Sequence, residues 1–200
     1  EPYCHQQGVA EAREAVAALH RRQGADAAME RVFIGNGVSE LIDLSLRALL
    51  DPGDQVLVPA PDYPLWSAAT RLNGGEPVYY ACPPERGHLP DPDEIAAAIT
   101  PRTRAIVPVH YAGIGCEMDA IMGLAEPHGI AVVEDNAHGL FAKYKGRWLG
   151  TFGALATQSF HETKNFQCGE GGALLINDPQ VIERAEIIRE KGTNRSRFFR

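Results

Sequence analysis

The chain has 200 residues, 44% apolar and 22% charged, with a formal net charge of −7. That is the composition of a folded protein with room for one generous domain, or one domain and part of another, and it argues against disorder. The negative balance gives no overall field to attract nucleic acid or an anionic membrane, no leader-like segment opens the chain, and no apolar run nears the ~18 residues that span a bilayer, so a cytoplasmic protein is expected.

Residues 9–22 place Val9, Val16 and Leu19 at helical spacing and end before Gly24, which predicts a helix. A strand over 31–34 runs into Gly35-Asn36-Gly37, and a helix follows over 39–50 until Asp51-Pro52-Gly53-Asp54 breaks it. Strands are expected at 55–58 and 77–81, with a helix at 63–72 between them and another at 91–99. The second half keeps this rhythm, with a strand at 104–109, a helix at 118–128 and a strand at 130–134. A small hairpin around Gly146, strands at 155–160 and 173–177, and a charged amphipathic helix at 179–191 complete it. Alternating strands and helices indicate an α/β fold, a mostly parallel sheet flanked by helices.

Cys4, Cys82, Cys116 and Cys168 are widely separated and form no CxxC pair, so neither a zinc site nor a disulfide framework is indicated. The last stretch is locally basic, with Arg184, Arg189, Lys191, Arg195, Arg197 and Arg200. It reads either as a solvated helix face and tail or as a contact for a phosphorylated ligand or partner subunit.

In open α/β sheets, ligands bind beyond the carboxyl ends of the strands, which singles out four loops. Gly35-Asn36-Gly37-Val38-Ser39 lies between a strand and a helix start, where backbone amides can approach a phosphate; a plain turn with Ser39 as helix cap is the other reading. It is neither a P-loop nor a dinucleotide fingerprint, because no Gly-Lys-Ser/Thr follows and Glu40 holds the third glycine position. Pro59 to Pro64 is a stiff loop carrying Tyr63, which either stacks on a flat heterocycle or packs in the core.

Asp135 stands just past an apolar strand, where a carboxylate against a pyridinium N–H would keep a ring protonated, and His138 follows three residues on. A cap and a surface histidine are the alternatives, and without a third ligand no metal is expected. Lys164 follows the strand at 155–160, with Ser159 before it as a phosphate donor and Gly169 to Gly172 after it for a sharp turn. A lone lysine is ordinarily solvated; in a cofactor site it serves as a nucleophile and proton shuttle.

These motifs resemble two related families. Residues 1 to about 107 resemble the alanine-type branch of the class I aminotransferases, in IGNGVSELIDLSLRALLDPGDQVLVPAPDYPLW (34–66) and ITPRTRAIV (99–107). From about residue 105 to 200 the chain resembles the DegT/StrS nucleotide-sugar aminotransferases, especially the dTDP-4-amino-4,6-dideoxygalactose transaminases. That likeness rests on VPVHYAGIGCEMDAIMGLAEPHGIAVVED (107–135), SFHETKNFQCGEGGALLIND (159–178) and IERAEIIREKGTNRSRFFR (182–200). Both families share the aspartate-aminotransferase-like (type I) fold and pyridoxal 5′-phosphate (PLP). The resemblance implies that Gly37, Val38 and Ser39 contact phosphate, Tyr63 stacks on the pyridine ring and Asp135 pairs with its nitrogen. It further implies that Ser159 binds phosphate, Lys164 holds the cofactor covalently and His138 stands near its 3-hydroxyl.

Two departures stand out. Where the class I half should continue into an Asn-Pro-x-x-Pro-Thr-Gly loop, Pro108-Val109-His110-Tyr111-Ala112-Gly113 stands instead, leaving His138 as the evident replacement for the class I Asn. Asn136 occupies a position where the sugar family more often has a small residue. The change of family near 105–108 falls inside a strand both possess, so the α/β register should survive it. The expectation is thus a PLP-binding large domain over 1–200, a fragment without an N-terminal arm or C-terminal small domain, working as a homodimer. Its expected reaction moves an amino group from glutamate to a nucleotide-linked keto sugar; an alanine-type aminotransferase and a non-catalytic domain of the same fold are the alternatives.

Overall fold

Short strands with apolar residues on both faces must be covered on both sides, and the intervening helices supply the cover. The computed structural model, which describes residues 5–193, has this arrangement. In chain order its main elements are α1 (Ala10–Arg22), β1 (Val32–Gly35), α2 (Val38–Leu49), β2 (Gln55–Ala60), α3 (Pro64–Leu72) and β3 (Glu76–Ala81). Then come α4 (Pro92–Ala98), β4 (Thr103–Ile106), α5 (Met118–Ala125), β5 (Ala131–Asp135) and a small hairpin of β6 (Lys143–Tyr144) and β7 (Arg147–Trp148). The last are β8 (Leu155–Ser159), β9 (Gly172–Ile176) and α6 (Ile182–Arg189).

Seven strands form one sheet in the order β1-β9-β8-β5-β4-β2-β3. β9 runs antiparallel to both of its neighbours, while β8, β5, β4, β2 and β3 pair in parallel. The period of two along each strand divides the core. Val56, Val58, Val107 and Val133 pack beneath α2, α3 and α6, whereas Leu57, Ile106 and Val132 face α4 and α5. Ala173 and Leu175 join a smaller cluster beneath α1. The sheet runs unbroken through β4: Ala105 and Ile106 pair with Val56 and Leu57 on one side and with Ala131 and Val132 on the other.

Several boundaries move for identifiable reasons. β4 stops short of Val109 because Pro108 has no N–H for the ladder, and Val109 rejoins the sheet through a bridge to Asp135. The helix expected to reach residue 128 gives way after Ala125 to a tight turn holding Pro127, closed by Gly129 at φ 64°. The helix expected from Pro179 begins as a tight turn, capped by the Asp178 side chain accepting from the Gln180 amide at 3.0 Å, before α6 proper.

α1 buries more than its apolar positions: Val16 packs partly buried against the cluster of Val32, Ala173 and Leu175, and polar residues lie deeper still. Val9 is 51% exposed, and the buried residues are Arg13, Ala17 and His20. Polar partners decide this. Arg13 donates to the carbonyls of Val32 at 3.2 Å and Met29 at 3.0 Å, and His20 Nε2 lies 2.6 Å from the Gln158 amide.

Arg184 and Arg189 of the basic stretch are bonded internally, while Lys191 is exposed. Arg184 donates to Leu50 O at 3.0 Å and pairs with Asp51. Arg189 donates to Gln6 O at 3.0 Å and Ile34 O at 3.1 Å, and pairs with Glu40. These two arginines fasten α6 to the body of the domain; Arg195, Arg197 and Arg200 lie outside the described residues. No helix among the described residues is long and apolar enough to cross a membrane.

Candidate active site

The loops after β1, β2, β4, β5 and β8 converge on one cavity of about 380 Å³. Gly37, Val38, Ser39, Tyr63, Asp135, His138, Ser159 and Lys164, the eight residues singled out on the sequence, all line it. It therefore lies at the carboxyl ends of the parallel strands, as the general rule for such sheets requires.

The first wall is the start of α2. Gly37 is its cap residue, in extended conformation, and no side chain caps the helix; Ser39 lies inside the helix and is not the cap. The opening amides of α2 are left without side-chain partners, and an anion would satisfy them. Glycine keeps that approach open, since a Cβ on Gly37 would meet nothing nearer than Glu170 Oε2 at 3.9 Å. Behind it, a Cβ on Gly172 would press on Val38 N at 2.9 Å, so β9 backs the cradle closely. Glu40 Oε2 accepts from the Asn36 amide at 2.8 Å and thereby holds the turn before the helix.

Asp135 ends β5 and is 4% exposed. Its Oδ2 accepts from the indole N–H of the fully buried Trp66 at 2.7 Å, and its Oδ1 accepts from the Ala137 amide at 3.1 Å. Two donors hold the carboxylate in place, and its remaining lone pairs are available to the cavity. Tyr63, one turn before Trp66, is 51% exposed and lines the cavity, so it is not a core residue.

Lys164 sits in the excursion between β8 and β9. That loop folds back on itself: Phe160 N donates to Gly171 O at 2.8 Å, Glu162 N to Gly169 O at 2.9 Å, and Lys164 N to His161 O at 2.9 Å. Phe166 anchors it against Phe160 and Phe141 in edge-on contacts, with centroids 5.7 and 6.4 Å apart. The half-buried Lys164 Nζ lies 2.9 Å from His138 Nε2. Burial, and then the Lys164 charge, pushes the His138 ring below its ordinary pKa. Ser159 is 4% exposed; its Oγ accepts from the His161 amide at 3.4 Å, leaving its own proton free to donate.

Sequence reasoning missed the support behind Asp135. Glu134 points to the opposite face, fully buried, and accepts from the amides of Gly150, Phe152 and Gly153 at 2.7 Å each and from His110 Nε2 at 3.0 Å. Alternation along the strand separates the two acidic neighbours, one to the cavity and one to its foundation. The glycines at 150 and 153 were the available sign that amides approach something there. Trp66 was missed as well, although it stands three residues after Tyr63. Val109, His110 and Tyr111 furnish another part of the wall. Among the described residues, no group of three His, Cys, Asp or Glu is placed to hold a metal.

The cavity thus combines an anion cradle, a fixed carboxylate, an exposed aromatic ring and an amine. Comparison with known proteins agrees. The model of the DegT/DnrJ/EryC1/StrS aminotransferase family matches residues 28–200. A dTDP-3-amino-3,4,6-trideoxy-alpha-D-glucose transaminase of Streptomyces venezuelae is 40% identical over 160 residues, covering 79% of this chain and 42% of the relative. The glutamate-pyruvate aminotransferase AlaA of Escherichia coli (strain K12) is 41% identical over 143 residues, covering 68% of this chain and 35% of the relative. Relatives of both kinds are therefore found, and the family model runs across residues 105–108. Among solved structures, an aminotransferase from Escherichia coli superimposes with a TM-score of 0.83 at 31% identity, over 96% of this chain and 52% of that one. The chain spans less than half the length of either curated relative.

Proposed function

This chain belongs to the DegT/DnrJ/EryC1/StrS aminotransferase family, and from that premise we propose that it is the cofactor-binding part of a PLP-dependent aminotransferase acting on a nucleotide-linked keto sugar. The family and the aspartate-aminotransferase-like neighbours work with PLP. One observation carries the reading: the uncapped start of α2, the Asp135 carboxylate and the Lys164 amine face a single cavity. These residues fit PLP. The amides of Val38 and Ser39, beside Gly37, and the Ser159 hydroxyl are donors for a phosphate; Tyr63 offers a ring face; Asp135 is an acceptor for a pyridinium N–H; Lys164 is the amine for covalent attachment.

Bound PLP supplies a protonated heteroaromatic ring that withdraws the electron pair left on a substrate carbon when its proton is removed. The chain's own residues set the conditions for this. Asp135, held by Trp66 and Ala137, keeps a negative charge in one place so that a ring proton is favoured there. Lys164 Nζ takes the proton from the substrate carbon and returns it at the adjacent position. The cradle amides and Ser159 hold the anionic end still, so that the reacting atoms stay aligned through both transfers.

Mixing the protein with PLP, reducing with borohydride and mapping the modified peptide tests the assignment; label on Lys143, Lys145 or Lys191 in place of Lys164 would overturn it. Likeness to AlaA supports a second reading, amination of pyruvate. Offering the full-length enzyme glutamate with a dTDP-4-keto-6-deoxysugar or with pyruvate separates the two, and amination of pyruvate alone would overturn the sugar reading. We further propose a cytoplasmic homodimer, as the resemblance implies; sedimentation of the full-length protein tests its assembly.

A further inference from the structure

A second cavity, of about 570 Å³, adjoins the first. Tyr111, His138, Thr163 and Lys164 stand in the walls of both, so the two meet at the lysine. The start of α2 and Asp135 line only the first; Phe141 and Asn165 line only the second. A substrate has to reach Lys164 from a side that the cradle and Asp135 leave free, and the second cavity is such a side.

Phe141 is held there by unusual backbone. Its φ of 69° lies in the left-handed region, a rare conformation for a bulky side chain. Ala112, in the same wall, has φ 53°. Strain of this kind persists only where the surroundings enforce it, and it gathers at ligand sites. The chain is pinned on both sides of the ring: the Asn165 side chain donates to Leu140 O, and Ala142 N donates to Gly139 O at 3.0 Å. Phe166 meets Phe141 edge-on, yet Phe141 stays 49% exposed, so the ring does not fill the core. Glycine would hold this backbone without strain, so stability does not account for the side chain.

The chemistry of the wall limits what it accepts. Lys164 is the one Asp, Glu, Lys or Arg in the second cavity, and among the described residues no arginine lines either cavity. A substrate carboxylate would find no second cation there. An uncharged ring with a face of C–H groups would lie against the exposed rings of Phe141 and Tyr111 and turn its hydroxyls to Thr163 and the backbone.

We propose that this second cavity is the subsite for the hexose ring of a nucleotide-linked keto sugar, and that Phe141 is its specificity-determining residue, taking the deoxygenated, C–H-rich edge of that ring. The inference rests on the sugar reading given above. A 6-deoxyhexose is preferred over its 6-hydroxy counterpart, whose extra hydroxyl would lose water against the Phe141 ring.

The test is calorimetric binding of two unreactive ligands, dTDP-6-deoxyglucose and dTDP-glucose, to the full-length enzyme. The unsubstituted enzyme should prefer the 6-deoxy ligand about tenfold; the ratio should fall toward one in Phe141→Gly and be kept in Phe141→Tyr. Glycine tolerates the left-handed φ, so the melting temperature of Phe141→Gly should not fall. An unchanged ratio in Phe141→Gly, or equal binding of the two ligands by the unsubstituted enzyme, would overturn the subsite and leave the sugar reading standing. Failure of the unsubstituted enzyme to bind either ligand would overturn both. A lower melting temperature of Phe141→Gly, or its loss of self-association in sedimentation, would also overturn the subsite, because the ring would then be packing the fold or a second copy of the chain.

Discussion

Trp66 donates its indole N–H to Asp135 Oδ2 at 2.7 Å, joining the first turn of α3 to the carboxyl end of β5. The two stand 69 residues apart in the chain, so this bond ties distant loops into one site. Trp66→Phe keeps a ring in the core but leaves Asp135 short of a donor. A buried bond to a charged group contributes about 1.5–3 kcal/mol, and urea unfolding should show a loss of that size. Amino transfer should fall as well, because the carboxylate loses a restraint.

Asp135→Asn should leave the fold intact and lower amino transfer by about 10²–10³-fold, the range for removing a preorganised electrostatic contact. Single-turnover rates with an amine donor measure this. An unchanged rate would show that Asp135 does not pair with the ring nitrogen.

Glu134→Ala should cost more stability than any single change at the cavity surface. It strands three amides of the 150–153 turn and the His110 N–H together, all of them now bonded to one buried carboxylate. Removing one partner of such a buried cluster costs about 3–5 kcal/mol. Chemical denaturation provides the measurement, and Glu134→Gln should recover part of the loss.

Stability should fall as pH drops below about 6.5, the unperturbed histidine value. Burial lowers the pKa of both His20 and His138 in the folded chain, so the unfolded chain takes up protons first. The stabilisation is complete above the unfolded pKa and is lost as pH falls through the folded ones. Melting temperatures from pH 7.5 down to 5.5 should trace this decline, and His20→Gln should flatten it.

Thiol reactivity should separate the three described cysteines. Burial pushes Cys116 to about 12 and Cys82 to about 11, whereas Cys168 is exposed. An alkylating reagent at pH 8 should modify Cys168 well before Cys82 or Cys116, as peptide mapping would show.

The strand-helix alternation and the loops of the site were legible in the sequence because local signals and tertiary demands agree there. Gly37 lets amides reach the cavity, and apolar runs end at Asp135 and Ser159 where the sheet ends. What stayed hidden depends on partners distant in sequence. The apolar positions of α1 were an incomplete guide because Arg13 and His20 also find hydrogen-bond partners inside. Glu134 and Asp135 look alike as neighbours, and only the strand's alternation separates their roles. The arginines of α6 read as a solvated face or as a contact for a phosphorylated ligand or partner subunit, yet Arg189 reaches Glu40 and two carbonyls far along the chain. Such bonds follow from topology, and no local pattern encodes them.

The reversal of β9 has a consequence for how this molecule tolerates change. Ser159 and Gly172 face each other in the ladder, so the loop bearing Lys164 leaves the sheet and re-enters it at adjacent points. The span between those points is fixed by two strands and not by the loop. A change of length within residues 161–170 therefore carries a modest closure cost for the sheet, which keeps its register. Lys164 rides on a segment whose two ends are set by the sheet, while the start of α2 and Asp135 are carried by other elements.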